Sequence, residues 1–365
     1  MSRWSDYYLE EDFNGFWLRR SDVSSMRILT ILGVGFDPRC LISLKSLAAL
    51  GLGDDRLGYV ALKLIARPAL GESGVATEKL AKDNLDKLLK IEGCHQEAIY
   101  DVWTHDEEGH SVAGRRTLES VSRITEILKN YSDVLVDISG MPRGVFFPLI
   151  AYLLRLADKH EFCNLHVSVV ENPMLDSRIS GREYGQADYL HTFRHQGNEK
   201  LVWLPLVGAN ENARLEKIHN KIKGACVEIC PILPFPASSL RRVDDIAVRH
   251  SELMFEGFLV SPDNLLLCDE RNPFDVYRKI LEVEEYYRQR LSAVPAIGKV
   301  TTVVSPLSSK TLSLGMLLAA IERMLPVCNV EAGTYQVDID EQGLLVGDTG
   351  RGPTEIWIAG DPYLE

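Results

Sequence analysis

The residues best suited to chemistry stand in DISGMPRG, Asp137 to Gly144. An apolar run ends there on Asp137, and Ser139, Gly140 and the amides that follow can form an anion-binding nest. Arg143 adds a planar guanidinium fork that matches phosphate geometry. The run FFPLIAYLLRLA behind it is too apolar to face water, so this turn sits at the mouth of a buried helix. A second group, SPLSSKT, places the hydroxyls of Ser305, Ser308, Ser309 and Thr311 around Lys310, ahead of the helical run LSLGMLL. It lacks the glycine spacing of a P-loop. It reads as a phosphate cradle or, more plainly, as a serine-capped helix beside a solvated lysine.

Three further turns carry unusual residues. GVGFDPR offers Gly33 and Gly35 for close backbone approach, Asp37 as acceptor and helix cap, and Arg39 for phosphate. Arg39 stands where a dinucleotide fingerprint needs its third glycine, and Asp-Pro can simply start a helix. GANENAR supplies Gly208, Asn210 and Asn212, which suit a base or ribose edge or a helix cap. In CDERNPFDVYR, Asp269 and Glu270 end a strand, and together with Asp137 they are the candidates for a general base; a structural carboxylate fits equally well. His191 and His195 have metal-capable spacing but lack the glutamate and the helical pattern of a zinc motif, so no metal is expected. No nucleophile-elbow GxSxG is present.

Such turns need strands and helices to hold them, and the chain supplies these twice. Arg27 to Val34 is a buried apolar run ending in GVGFDPR and followed by a helical pattern; Leu201 to Val207 repeats this before GANENAR. Val134 to Gly140 leads through MPRG to a buried helix and the strand ending at Glu171, and Lys299 to Val304 leads through SPLSSKT to a helix and the strand ending at Glu331. The intervals Gly33–Gly208, Arg143–Lys310 and Glu171–Glu331 are 175, 167 and 160 residues, a drift that loop changes absorb. Two more strand–helix pairs lie between these landmarks in each half. The fold expected is α/β, two tandem Rossmann-like doubly wound parallel-sheet units related by internal duplication. The domains are then an aromatic-rich N-terminal arm at 1–26, a first repeat at 27–196 and a second at 197–365. Strands are also expected at Tyr335–Asp340 and Glu355–Ala359, with a turn at Glu341–Gly343. The arm, with Trp4, Tyr7, Tyr8, Phe13, Phe16 and Trp17, is expected to pack on the body or on a second subunit.

The chain has 365 residues and a formal charge of −12, which excludes a broad basic face for coating duplex nucleic acid. An anionic ligand must then be held by a local cluster of donors, and a small phosphorylated molecule fits best. No apolar run spans a bilayer and the first residues are polar and acidic, so the expectation is a cytoplasmic protein with no membrane contact. The seven cysteines sit singly in apolar runs, which suits free thiols; Cys226 and Cys230 are not in CxxC spacing.

A strand ending in Asp-Ile-Ser-Gly, a basic turn and an apolar helix resemble the CRISPR-associated Rossmann-fold (CARF) sensor domains and the related SAVED domains, which are two such units fused. Those families carry a form closer to Thr-Gly-Gly-Thr-Lys, and this chain departs from it at Met141, Pro142 and Arg143. The resemblance covers two short turns per half. It implies a cytoplasmic sensor of cyclic or oligonucleotide signals in bacterial antiviral defence, with no required cofactor. Its nucleotide would lie in the cleft between the two lobes, and it would act on an effector partner or through self-assembly. The alternatives are a nucleotide-processing enzyme, a phosphodiesterase or glycosidase, and a scaffold subunit that keeps the fold without a ligand.

Overall fold

The computed structural model describes residues 2–21, 25–66, 72–182, 184–195, 197–237, 239, 241–294, 298–340 and 352–363. The turn expected at Glu341–Gly343 lies outside them. Two compact units emerge, Met1–Gly185 with Ala332–Glu365, and Gln186–Glu331.

The first unit runs β1 (Tyr8–Glu10), α1 (Phe13–Ser21), β2 (Ile28–Val34), α2 (Ile42–Ala49), β3 (Leu57–Ile65), α3 (Glu72–Leu88), β4 (His95–Trp103), α4 (Ala113–Val121), α5 (Thr125–Leu128), β5 (Asp133–Asp137), α6 (Arg143–Ala157), β6 (Asn164–Val169), α7 (Pro173–Asp176) and β7 (Ile179–Arg182). Every residue of β2, β5 and β6 is buried, as continuous apolar runs require in a parallel sheet covered on both faces. The second unit runs β8 (Asp188–Tyr189), β9 (Lys200–Val207), α8 (Asn212–Ile222), β10 (Cys226–Ile229), β11 (Ile232–Pro234), α9 (Arg242–Ser251), β12 (Leu266–Cys268), α10 (Pro273–Ser292), β13 (Val300–Leu307), α11 (Lys310–Arg323) and β14 (Cys328–Asn329). The chain then returns to the first unit through β15 (Thr334–Val337), which pairs with β7, and β16 (Thr354–Ala359).

The first sheet has the order β1-β16-β6-β5-β2-β3-β4, with β2 to β6 parallel. In the second, β9 is flanked by β13 on one side and by β10 and β11 on the other, with β12 beyond β11, all parallel. The run CVEICPIL forms two strands, β10 and β11, interrupted at Pro231, which has no N–H for the ladder. A parallel bridge from Val304 to Val327 brings the start of the β14 segment beside β13. With β10 and β11 taken together, four strands therefore follow one order in both units, β5-β2-β3-β4 and β13-β9-β10/β11-β12, while β14 pairs with β8 in a separate two-stranded sheet. Unrelated doubly wound units share that order too, so it does not by itself establish duplication.

The boundary differs from the one expected. The C-terminal segment does not complete the second unit: β16 pairs antiparallel with β6, and β1 with β16, so both chain ends extend the first sheet. The arm expected as a separate element is part of this unit. Trp4 donates its indole N–H to the Ile358 carbonyl (2.9 Å), and Trp17 donates to Glu355 Oε2 (3.0 Å).

The joint has an ionic centre. His166, fully buried on β6, lies between Glu355 Oε1 (2.8 Å) and Asp133 Oδ1 (3.2 Å). Arg20 reaches Asp133 Oδ1 (2.7 Å) while stacking over Trp357 (4.2 Å). Burial alone would lower the imidazole pKa, but Glu355 and Asp133 outweigh it and hold His166 protonated above its ordinary range. Burial likewise pushes the Asp133 carboxyl up, and His166 and Arg20 bring it below its ordinary range. Among the described residues no helix is long and apolar enough to cross a membrane.

His166→Gln leaves two buried carboxylates short of a cation, and urea denaturation should show a loss of about 3–5 kcal/mol. The raised His166 pKa stabilises the native state at low pH and loses that contribution as pH rises through it. The variant should therefore lack the alkaline decline of the parent; equal alkaline limbs in both proteins would contradict the assignment.

Candidate functional site

In an open parallel sheet, ligands bind past the carboxyl ends of the strands, at the point where the strand order reverses. That point lies between β2 and β5 in the first unit and between β9 and β13 in the second. The two are built alike and differ in what fills them.

In the first unit the turns after β2 and β5 pack directly on each other. A Cβ on Gly140 would stand 2.7 Å from the Gly33 carbonyl oxygen and 2.7 Å from Cys40 Cβ, and one on Gly33 would stand 2.5 Å from Met141 Cγ. These glycines are therefore explained by turn-on-turn packing. A Cβ on Gly35 would meet nothing closer than 3.7 Å. Met141, fully buried, occupies the space beside Gly33. Asp137 Oδ1, expected as a candidate base, accepts the Ser139 N–H (2.8 Å) within the β5 turn, and Ser139 Oγ, expected as a ligand group, accepts the Val170 N–H (2.9 Å) and ties that turn to the end of β6.

Arg39 is likewise committed. Its Nε and Nη2 donate to Asp37 (3.0 and 2.8 Å), its Nη1 pairs with Asp176 (2.8 Å), and it is 4% exposed. Burial would lower its pKa, but Asp37, Asp176 and Glu171 together raise it. A phosphate at Arg39 would have to displace two carboxylates. Arg143 stands half-buried as the first residue of α6.

In the second unit a Cβ on Gly208 would stand 2.5 Å from the Leu307 carbonyl oxygen and 3.3 Å from Ser308 Cα, which places GANENAR against SPLSSKT. β9 and β13 pair in register to their ends, Val207 opposite Leu307. The turns that touch lead into two helices, α8 of 11 residues and α11 of 14, with Lys310 the first residue of α11 and half-buried. Helix N-termini present outward N–H groups and positive dipole ends. Ser309 caps α11, accepting the Leu312 N–H (3.3 Å); Ser308 is half-buried and Thr311 buried beside it. Ser305 is the exception among the expected hydroxyls: it is fully buried within β13 and accepts the Trp203 indole N–H (2.9 Å).

Several residues at this edge carry no local sequence signal. His250, buried on α9, bonds the Gly208 carbonyl through Nε2 (2.7 Å) and contacts the Asn212 side chain through Nδ1. Burial lowers its pKa, which favours the neutral ring, and Nε2–H then donates to the Gly208 carbonyl. Arg249, exposed, donates to the Ala209 carbonyl (3.0 Å) and to the Asn210 side chain. Arg214 follows Gly208 at the interval by which Arg39 follows Gly33, and it too is buried, reaching Glu211 (3.0 Å), the Val330 carbonyl (3.1 Å) and Asn329 (3.0 Å). In each unit a buried arginine therefore ties the turn after the first parallel strand to a later segment, Arg39 to Asp176 on α7 and Arg214 to Asn329 and Val330; the shared final Arg of GVGFDPR and GANENAR was the signal for it.

The candidate bases are engaged as well. Asp269 Oδ1 accepts the Arg271 N–H (2.9 Å), and Glu270 pairs with Arg242 (2.9 Å). The His191–His195 segment gathers no metal cluster among the described residues; a different trio, Asp106, Glu108 and His110, brings its ligand atoms within 4.8 Å on the turn after β4. The charge is divided unevenly: residues 186–331 hold 17 Lys and Arg against 18 Asp and Glu, a net of −1, which leaves −11 of the total −12 to the first unit.

No protein-family model matches the chain, and no curated protein does. Among solved structures, a universal stress protein from Pseudomonas aeruginosa UCBPP-PA14 is similar over 83% of this chain and 92% of its own, at 11% identity and a TM-score of 0.24.

If Gly140 serves packing, Gly140→Ala should cost about 1–3 kcal/mol through overpacking, whereas Gly35→Ala should change stability by less than about 1 kcal/mol. Thermal denaturation of both variants checks this; equal losses would contradict the packing role.

Proposed function

We propose that the chain is a nucleotide-binding regulatory protein whose ligand is received by its phosphates at the β9–β13 edge of the second unit. The observation that supports this is the contact of Gly208 with Leu307 and Ser308, which brings together the turns that lead into α8 and α11, with Lys310 the first residue of the second helix. Phosphate is stabilised at helix N-termini, and more so beside a cation. The near-neutral second unit favours an anion over the acidic first unit, where Met141 and the Arg39 carboxylates fill the equivalent place. A sensing role fits better than hydrolysis because Asp137, Asp269 and Glu270 each hold local structure. The resemblance to CARF and SAVED domains, and with it a defence role acting through an effector protein, rests on the turn residues of DISGMPRG, so cyclic oligonucleotides belong among the ligands tried.

The test is a panel of ATP, NAD, cyclic di-AMP and cyclic tetra-adenylate, followed by thermal shift and product analysis. At least one should raise the melting temperature without being consumed, since a ligand of the native state alone stabilises it. Lys310→Ala should weaken that binding by about 1.5–3 kcal/mol, as for a hydrogen bond to a charged group, with Arg143→Ala close to the parent. Steady product formation that falls about 100-fold in Asp269→Asn or Glu270→Gln would overturn the reading in favour of a nucleotide-processing enzyme.

A further inference from the structure

Helix α9 does not run down the face of the second sheet as a crossover helix ordinarily does. Its first residue, Arg242, pairs with Glu270 just past β12, and its far end reaches the turn just past β9 through Arg249 and His250. Ten residues of helix span roughly 15 Å, enough to cross from β12 over β11 to β9 at about 4.8 Å per strand. Both ends are thus at the carboxyl edge, and the helix lies across the strand ends.

Its hold there is light. Only Ile246 and His250 of α9 are buried, Val248 is 74% exposed, and Asp244 and Asp245 face solvent. The polar grip at one end is the pair Arg249 and His250 on Ala209, Asn210, Gly208 and Asn212. Immediately after it the helix widens into a π-helical stretch, Glu252–Gly257, an uncommon geometry that often marks functional positions. Beyond that stretch the chain is anchored: Phe258 stacks on His219 (ring centroids 4.2 Å) and lies against Trp203, and Leu259 takes the left-handed conformation (φ 57°). A polar latch, a wider-wound segment and a fixed aromatic anchor follow in that order. Few buried apolar contacts and a polar attachment are the features of a locally opening element.

We infer that α9 is a lid over the carboxyl edge of the second unit, latched to the β9–α8 turn by Arg249 and His250, with the π-helical stretch as its hinge. The inference rests on the proposed ligand edge for its purpose, but the motion itself can be tested without a ligand. Opening frees the Gly208 carbonyl, Asn210 and Asn212 together, which exposes the start of α8 to a phosphorylated ligand. The lid then governs the rates of entry and exit, while Lys310 contributes to affinity.

The experiment is hydrogen exchange on the full-length protein and on Arg249→Ala and His250→Asn; Arg249 is exposed, so its variant should fold even if the His250 variant does not. Amides of 243–251 should exchange at least tenfold faster in either latch variant, while those of α11 stay within twofold of the parent. Exchange that rises equally in α9 and α11, or that is unchanged in α9, would overturn the lid. A second arm uses a fluorescent ATP analogue in stopped flow: in Arg249→Ala both association and dissociation should accelerate at least fivefold, with a smaller change in Kd. Acceleration of dissociation alone would instead make Arg249 a direct ligand contact and overturn its latch role. If no nucleotide binds any form, the nucleotide reading fails and the exchange arm alone decides the lid.

Discussion

The first and fourth strands of each parallel sheet lie side by side, and the turns that leave them have room for backbone only. Gly33 and Gly140 meet this constraint in the first unit, Gly208 in the second, where the facing atoms are the Leu307 carbonyl oxygen and Ser308 Cα. In-register pairing of β9 with β13 carries the closeness to the last residues of both strands. The turns that lead into the following helices therefore touch. What each unit does with this edge depends on side chains. The first fills it with Met141 and with the Arg39–Asp37–Asp176 ion cluster; the second lines it with half-buried polar groups and lays α9 over it.

Much of the scaffold was legible in the sequence because buried parallel strands are continuous apolar runs and their helices begin at Pro, Ser or Asn. Pro273 does open α10 behind Asn272, and Ser309 does cap α11. The final strand was legible as a strand but not as part of the first sheet. An apolar stretch such as Ile356–Ala359 fits any sheet, and the choice is made by a fully buried Glu355 meeting His166, 189 residues earlier in the chain. That pairing has no local signature, since a histidine within LHVSVV reads as a satisfied core residue until its partners are seen.

The site residues divide by the same logic. Turn glycines, Lys310 and the cap at Ser309 announce themselves through spacing. Ser305, Ser139 and Arg39 have the right chemistry for a ligand and are spent on Trp203, Val170 and two carboxylates. Residue type shows capacity, whereas burial and partners decide use. Arg249 and His250 lay out of reach of motif reading because α9 approaches the site from another strand's connection, across the strand ends rather than along them.

The claim that matters most is that the second unit, not the first, receives the anion. Amide-resolved NMR of the full chain, titrated first with pyrophosphate and then with ATP, measures this most directly. Saturable shifts are expected only at amides near Gly208–Asn212 and Ser308–Leu312, with Gly35–Arg39 and Ser139–Gly144 unmoved. Shifts centred on Gly35–Arg39 and Ser139–Gly144 instead, or no saturable shift at either edge, would contradict that claim.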